Sequence, residues 1–363
     1  MYAWEMPEFL QGTDQGKEDK EMPKGAGPGG EATAKERKRK LAADIYTSMK
    51  AAAIDQFGPP EVLTMHTLPV LKPGPNEVVI ALHAAGVGFW DAKIRDGSWA
   101  GSPVKFPLVP GADGAGFIAD KGARVQGFQP GDRVWASSYE NPKGGFYAEY
   151  VTVDAGKVAL APKQLTLPEA AAAVVTGLTA LQGIADVLHV QKGETILIFG
   201  ATGAVGSLAV QFAKHHGARV IGTASGSDAG AFLRKLGADE IVDARGHDAV
   251  EQLRALVPDG LDAVLALAGG GILDQCLELV RSGGRIAYPN GVDPVPAKRH
   301  GLTVHAYNGE SGPGEFERLE HAVTETGLKV PIAATFSLDQ AAKAHERLEK
   351  GHVLGRIVLQ IRP

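Results

Sequence analysis

The stretch from Thr195 to Gly206, TILIFGATGAVG, constrains what this 363-residue chain can fold into more than any other. Five β-branched, aliphatic or aromatic residues precede Gly200, two further glycines follow, and apolar residues then recur at helical spacing. This pattern predicts a strand, a tight glycine turn and a helix that lies on a sheet. Glycines let the turn and the first helical amides approach a pyrophosphate, and a helix N-terminus favours negative charge.

We therefore predict a bound dinucleotide at this turn; the alternative is a glycine-rich turn with a structural role only. The residues expected to line the pyrophosphate are Gly200, Gly203, Ala204, Val205 and Gly206. Downstream, the pattern predicts strands at 218–223, 240–242, 261–267, 284–288 and 302–306, and helices at 229–236, 248–257 and 272–281. Such alternation predicts a doubly wound parallel sheet covered by helices on both faces.

Composition limits the class of protein. The chain is long enough for two domains, and its net charge of −5 gives no general footprint for nucleic acid. The single cysteine, Cys276, lies among leucines in a predicted helix and is expected to be buried. One cysteine allows no internal disulfide, which suits a reducing compartment, so we expect a cytoplasmic protein. No apolar run is expected to reach membrane-spanning length, and no membrane partner is predicted.

Two regions before the glycine turn have different compositions. Residues 1–48 are rich in Gly, Pro, Glu and Lys, and are predicted to be a disordered tail. The basic run at 35–40 is interpreted as a solvated segment, with an address or a nucleic-acid patch as the alternative. From residue 50 to about 170, short β patterns alternate with turn glycines, which predicts a β-barrel-like domain.

Six segments resemble, in family order, signatures of the medium-chain dehydrogenase/reductase superfamily, and specifically its zinc-independent quinone oxidoreductase and enone reductase branch. They are 85–91 (AGVGFWD), 109–116 (VPGADGAG), 129–134 (QPGDRV), 144–150 (GGFYAEY), 171–180 (AAAVVTGLTA) and 351–358 (GHVLGRIV). The resemblance implies an α/β protein with a GroES-like β-rich catalytic domain at 49–172 and 316–363. A Rossmann cofactor domain would occupy 173–315, with the active site in the cleft between the domains. It also implies a homodimer.

The resemblance also bears on the chemistry. Gly88 stands where zinc-dependent members of the family have a cysteine ligand, and Ala112 stands where they have a histidine. A zinc site needs three or four converging ligands, so no metal is predicted. Without a Lewis acid the substrate should be electrophilic already, such as a quinone or an α,β-unsaturated carbonyl. The reduced nicotinamide would deliver a hydride to it, while hydrogen-bond donors stabilise the developing oxyanion.

Substrate and nicotinamide contacts are assigned to aromatic and hydroxyl residues. Four aromatic residues are candidates for the substrate pocket, with a plain core role as the alternative for each: Phe89, Trp90, Trp99 and Tyr147. Thr176 and Thr179 resemble family positions near the nicotinamide. Their alternative role is a hydroxyl bonded to a preceding helix carbonyl. No general acid is assigned.

The choice of coenzyme depends on the end of the second strand. An NAD-binding fold usually has an acidic residue there, and this strand runs into Ser225 without one. Ser225 and Ser227 are therefore expected to bind a 2′-phosphate together with Arg245, for which Arg234 or Lys235 are alternatives. NADPH is favoured and NADH is not excluded, because the lysine and tyrosine of NADPH-using relatives are replaced by Ala229 and Ala244.

Two other functions remain open. One is an enoyl reductase acting on acyl thioesters. The other is a non-enzymatic, NADPH-binding or RNA-binding protein like the zeta-crystallin relatives, for which the basic tail and residues 298–300 (KRH) give the only support. Nucleic acid is not the expected partner.

Overall fold

The computed structural model describes residues 47–98, 104–139 and 141–362. The predicted tail lies outside these residues apart from its last two, of which Ser48 already begins the first strand. Trp99 lies outside them as well.

The described residues form fifteen strands and eight α-helices. In chain order the strands are β1 (Ser48–Ala53), β2 (Thr64–Pro69), β3 (Glu77–Val87), β4 (Asp113–Lys121), β5 (Arg133–Ser137), β6 (Tyr150–Asp154), β7 (Val158–Leu160), β8 (Thr195–Phe199), β9 (Arg219–Ala224), β10 (Glu240–Asp243), β11 (Leu261–Ala266), β12 (Val280–Pro289), β13 (Thr303–Tyr307), β14 (Ile332–Ser337) and β15 (Arg356–Gln360). The helices are α1 (Phe89–Asp96), α2 (Leu167–Gln182), α3 (Ala204–His215), α4 (Ser227–Lys235), α5 (Ala249–Leu256), α6 (Gly271–Cys276), α7 (Pro313–Thr326) and α8 (Ala341–Glu349).

Two sheets organise the molecule. A seven-stranded sheet has the order β14-β15-β3-β4-β5-β7, with β6 also paired to β3, and it confirms the expected β-rich part of the fold. A six-stranded sheet has the order β10-β9-β8-β11-β12-β13, and every pairing in it is parallel. That order is the one expected of a doubly wound dinucleotide-binding sheet. Strands are added outward from β8 to β10 on one side and from β11 to β13 on the other, so the strand order reverses between β8 and β11. The predicted α/β fold is confirmed.

One element of the cofactor domain differs from its prediction. The helix expected at 272–281 ends at Cys276, a 3-10 turn follows, and β12 begins at Val280. Val280 is paired with Leu261 in the register of β11 and β12. Local periodicity favoured a longer helix, and tertiary strand pairing overrode it.

A single apolar helix joins the two sheets. Thr166 and Glu169 form a capping box that starts α2, and the helix packs against β3 and β4 on one side and α3 on the other. The predicted boundaries at 172/173 and 315/316 fall inside α2 and α7, because both helices share one core with the two sheets. The segment Leu167–Val187 is long and apolar enough to cross a membrane, so the expectation that no such run exists was wrong, but it is mostly buried.

The two units also meet through backbone and polar contacts around a cleft. Gly355, just before β15, donates its amide to Thr202 O at 2.9 Å and forms a bridge with Gly203 in the glycine turn. On the other side, Lys157 Nζ donates to Ser311 O at 2.5 Å. These contacts hold the carboxyl edge of the parallel sheet against the β-rich unit, so the cleft between them is the place for a site.

Candidate active site

The glycine turn connects β8 to α3. Gly200 has a φ of +86°, a conformation that favours glycine, and Gly203 is the N-cap residue of α3. A Cβ on Gly206 would lie 2.4 Å from Gly200 O, whereas a Cβ on Gly203 would meet nothing closer than Gly200 O at 3.6 Å. Gly206 is therefore required for the turn to pack on the helix, and Gly203 leaves the outer surface of the turn open for a ligand.

A hydroxyl group on the next strand fixes this turn. Gly200 N donates to Thr223 Oγ1 at 2.8 Å, and Thr223 is buried near the end of β9. The sequence interpretation missed this residue. Its signal was weak, because a threonine in a strand is usually explained by β propensity alone.

The predicted 2′-phosphate residues lie at one edge of the sheet. In the register of β9 and β10, Ala224 pairs with Asp243, so Ser225 and Arg245 follow neighbouring strand ends. Arg245 is exposed and its backbone amide donates to Asp243 Oδ1 at 3.0 Å. Ser227, the first residue of α4, is exposed, and its hydroxyl lies 3.4 Å from Asp228 Oδ1. Ser225, Ser227 and Arg245 therefore lie at the same edge of the sheet. The carboxylates of Asp228 and Asp243 lie close to them.

Two of the predicted pocket residues lie on α1 at the cleft. Phe89 is 65% exposed, and the half-buried Trp90 packs edge-to-face with Tyr139 at 6.2 Å between ring centroids. Trp90 also lies against Gly291, and Lys93 Nζ donates to Gly291 O at 3.2 Å. Trp90 therefore faces the loop that follows β12 in the cofactor domain.

Tyr147 does not join them. It is fully buried in the core of the catalytic domain, and its hydroxyl is 3.1 Å from His345 Nε2. Its backbone amide donates to Pro110 O and its carbonyl accepts from Ala52 N, so the backbone on both sides is fixed within the β-rich unit. The prediction that Tyr147 lines the substrate pocket is corrected for this reason.

The hydroxyl groups of Thr176 and Thr179 in α2 bond to preceding helix carbonyls, which was the alternative to a nicotinamide contact. Thr176 Oγ1 donates to Ala172 O at 2.6 Å, and Thr179 Oγ1 donates to Val175 O at 2.9 Å. Both are buried. Thr179 nevertheless lies at the cleft, because its hydroxyl hydrogen-bonds with Tyr139 and packs closely on Gly309.

A buried charge cluster lies beneath α1. Arg356 Nη2 donates to Asp113 Oδ1 at 2.8 Å, and Gly88 N donates to Asp91 Oδ2 at 2.8 Å. Burial raises the pKa of Asp113 to about 7, although the guanidinium of Arg356 opposes the shift. Burial also raises the pKa of Asp91. Two carboxyl groups sharing one guanidinium are costly to keep ionised, so the cluster favours holding a proton.

This cluster occupies the space that a zinc ligand would need. A Cβ on Gly88 would lie 2.9 Å from Arg356 Nη1, and one on Gly86 would lie 2.6 Å from Arg356 Nη2. A guanidinium is always charged and has no lone pair to give to a metal. Among the described residues, no three His, Cys, Asp or Glu side chains converge as a metal site. The residues present at this position do not fit zinc.

Two further residues at the cleft were not named from the sequence. Tyr139 follows the end of β5, and Asn290 follows the end of β12, where its side-chain amide donates to Asn308 Oδ1 at 2.9 Å. Residues just beyond strand ends at a cleft are frequent binding residues. That position was the only signal available, and it required knowing which strand ends meet.

Curated relatives span nearly the same length. The chain is 29% identical to the quinone oxidoreductase of Pongo abelii, over 86% of this chain and 97% of that protein. It is 31% identical to the 2-methylene-furan-3-one reductase of Solanum lycopersicum, over 87% of this chain and 80% of that protein.

Solved structures agree on the fold. An NAD-dependent alcohol dehydrogenase is 33% identical with a TM-score of 0.80, over 86% of this chain and all of that one. A mycobacterial protein complexed with NADPH is 28% identical with a TM-score of 0.76, over 86% of this chain and all of that one.

The parallel sheet with its glycine turn, set against a β-rich unit across an aromatic cleft, defines an oxidoreductase that uses a nicotinamide cofactor. Residues 74–163 match the family model described as an alcohol dehydrogenase GroES-like domain, and residues 204–298 match the one described as a zinc-binding dehydrogenase. The chain belongs to the medium-chain dehydrogenase/reductase superfamily, in its quinone oxidoreductase branch. The resemblance inferred from the motifs is thereby confirmed.

Proposed function

We propose that this protein is an NADPH-dependent reductase of quinones or α,β-unsaturated carbonyls. The observation that carries the proposal is the position of Arg356. Its guanidinium fills the space beside Gly88 where a metal-binding side chain would stand, while the glycine turn for the dinucleotide is intact. Oxidation of an alcohol requires loss of its hydroxyl proton, which a metal ion assists. Reduction of a conjugated carbonyl requires no such loss of a proton.

In such a reaction, different residues would bind the coenzyme and the acceptor. The open face of the turn at Gly203 and the first amides of α3 would hold the pyrophosphate. The bound coenzyme supplies a hydride from its nicotinamide. Phe89 and Trp90 give the cleft an apolar wall that excludes water and stacks against a flat acceptor. Asn290 borders the same cleft and can orient an amide or carbonyl group.

Support for NADPH comes from the edge formed by β9 and β10. Ser225 and Arg245 lie beyond adjacent strand ends, and no acidic residue ends β9 to repel a 2′-phosphate. Arginine is well suited to phosphate because of its charge and its several donors. Asp228 and Asp243 weaken this preference, and the similar structures include both an NAD-dependent enzyme and an NADPH complex.

A coenzyme and acceptor panel tests the proposal. Consumption of NADPH and of NADH is measured with 1,4-benzoquinone, 9,10-phenanthrenequinone, an alkenal and crotonyl-CoA. We expect turnover of a quinone or the alkenal, with a higher kcat/KM for NADPH. Turnover of crotonyl-CoA alone would favour the acyl-thioester reading, and no turnover of any acceptor would contradict the proposal.

Among the described residues, no contact specifically supports an acyl-thioester reductase or a non-enzymatic RNA-binding protein. In the basic sequence 298–300, Arg299 donates to Asp274 O and lies 3.6 Å from Glu278, so its charge serves the fold. The basic run at 35–40 lies outside the described residues.

We also propose a homodimer in the cytoplasm. The six-stranded sheet ends on β13, which is paired only with β12 among the described strands and offers an edge for a second copy. Cys276 is buried, and burial raises the pKa of its thiol to about 11, so it is an inert core residue compatible with a reducing compartment. Light scattering and fractionation test these two points.

A further inference from the structure

Tyr139 lies near the segments that carry Gly88 and Ala112, the two positions where the resemblance places metal ligands in zinc-dependent relatives. The backbone of its neighbour Ser138 donates to Ala112 O at 2.8 Å, which places this segment beside Ala112. The Tyr139 ring packs edge-to-face with Trp90, which lies two residues after Gly88. The segment that carries Tyr139 is therefore fixed beside Ala112, and its ring lies against an α1 residue that is close to Gly88 in sequence.

The surroundings of the Tyr139 hydroxyl keep it protonated. Burial raises its pKa above the usual tyrosine value, and the carboxyl groups of Asp113 and Asp91 add to the shift while Arg356 opposes it. The Thr179 hydroxyl is its hydrogen-bond neighbour on the α2 side. Because Thr179 already donates to Val175 O, it has lone pairs to offer but no second proton. The tyrosine is therefore the donor in this hydrogen bond, and a carbonyl oxygen in the cleft would take its proton in place of Thr179 Oγ1.

We propose that Tyr139 Oη donates the hydrogen bond that stabilises the carbonyl oxygen of the acceptor during reduction. This inference rests on the proposed function and names the group that replaces a Lewis acid. A bound NADPH would supply the hydride and be left as NADP⁺; the hydride forms the new C–H bond at the conjugated carbon, and the π electrons move onto the carbonyl oxygen. The tyrosine keeps its proton as a hydrogen-bond donor, and water supplies the proton that completes the product. A hydrogen-bond donor that points at developing negative charge in a partly desolvated site lowers the activation barrier substantially.

The test compares two matched substitutions in the same domain. Tyr139→Phe removes only the hydroxyl and keeps the ring on Trp90, whereas Tyr150→Phe does the same in β6, where the ring packs under Arg362. For Tyr139→Phe we expect kcat with an enone to fall about 100-fold, with little change in the Kd of NADPH or in the melting temperature. Tyr150→Phe should retain the wild-type kcat.

A series of acceptors separates this role from a structural one. A strongly electron-poor quinone needs less stabilisation of its oxygen, so Tyr139→Phe should lose less rate with 1,4-benzoquinone than with the enone. An equal loss with every acceptor would indicate a damaged fold and overturn the inference, as would a variant as fast as the wild type. If the wild-type protein reduces none of the acceptors, the proposed function itself fails, which is a distinguishable result.

Discussion

Gly203 and Gly206 differ in what a side chain would meet, although both belong to one glycine pattern. The Cβ of residue 206 would enter the backbone of residues 200 and 201, and that of residue 203 would face open space. Gly203 also has an extended backbone that any residue adopts. Gly206 is therefore needed for packing, and the proposed role of Gly203 is to leave room for the ligand.

This difference predicts opposite effects for two substitutions. Gly203→Val should weaken NADPH binding at least tenfold with little loss of stability, because its side chain occupies the space for the pyrophosphate. Gly206→Val should lower the free energy of unfolding by at least roughly 1–3 kcal/mol through overpacking. Coenzyme titration and thermal unfolding measure the two effects. Unchanged coenzyme affinity in Gly203→Val would contradict the assignment of the turn.

The proposed preference for NADPH depends on the charge of Arg245. Arg245→Gln should raise the Kd of NADPH about tenfold, since a charge-assisted hydrogen bond contributes roughly 1.5–3 kcal/mol when made and less at an exposed site. The Kd of NADH should not change, because NADH has no 2′-phosphate. Arg254→Gln, at an exposed position on α5, is the matched control. Equal losses for both coenzymes would show that Arg245 acts in some other way.

At the scale of elements, α1 is held in place by the C-terminal helix α8. Arg95 Nη2 donates to Glu349 Oε1 at 2.7 Å, and Arg95 Nη1 lies 3.1 Å from His345 Nδ1. Since arginine only donates, His345 accepts at Nδ1, which leaves Nε2–H to donate to the Tyr147 hydroxyl. This directed chain fixes the helix that presents Phe89 and Trp90 to the cleft.

The same chain predicts a dependence of stability on pH. Burial, with the charge of Arg95 adding to it, lowers the pKa of His345 to about 3. The unfolded state therefore binds a proton between pH 6.5 and 3 that the folded state does not, so this contribution is lost as the pH falls through that range. Over the whole range the loss amounts to roughly 5 kcal/mol.

Denaturant unfolding of the wild type and of His345→Gln from pH 8 to 4 measures this effect. The difference in free energy of unfolding between the two proteins should shrink as the pH falls. Asp113 contributes with the opposite sign in both proteins, because its raised pKa favours the folded state at low pH, and it cancels in the difference. A difference that is constant with pH would contradict the neutral, buried state of His345.

The sequence predicts features whose interacting residues are close together in the chain. It does not predict those whose interacting residues are far apart in the chain. The strand, turn and helix around Gly200 follow from local periodicity, and so do most strands of the parallel sheet. The pair of Asp113 and Arg356 is separated by 243 residues, and no local pattern connects them. Tyr147 was misplaced for a similar reason, because its partner His345 comes from a helix 198 residues away.

At the scale of the whole molecule, the site exists because two sheets share one core. Helix α2 packs on both, and the bridge between Gly203 and Gly355 brings the coenzyme turn against the strand that carries Arg356. Coenzyme binding and the buried charge cluster are therefore only a few residues apart across the domain boundary. Under the proposed function an acceptor would lie beside Trp90 and Tyr139, and the described part of the chain offers no cluster of metal ligands there.

Whether a metal ion takes part in the reaction is decided by measuring zinc content and turnover on the same samples. The purified protein is treated with a chelator, analysed for zinc and assayed for NADPH oxidation with the best acceptor of the panel. The account predicts no stoichiometric zinc before or after treatment, and the same kcat/KM in both samples. Zinc present at one ion per chain, with turnover lost on its removal and restored on its return, would contradict it.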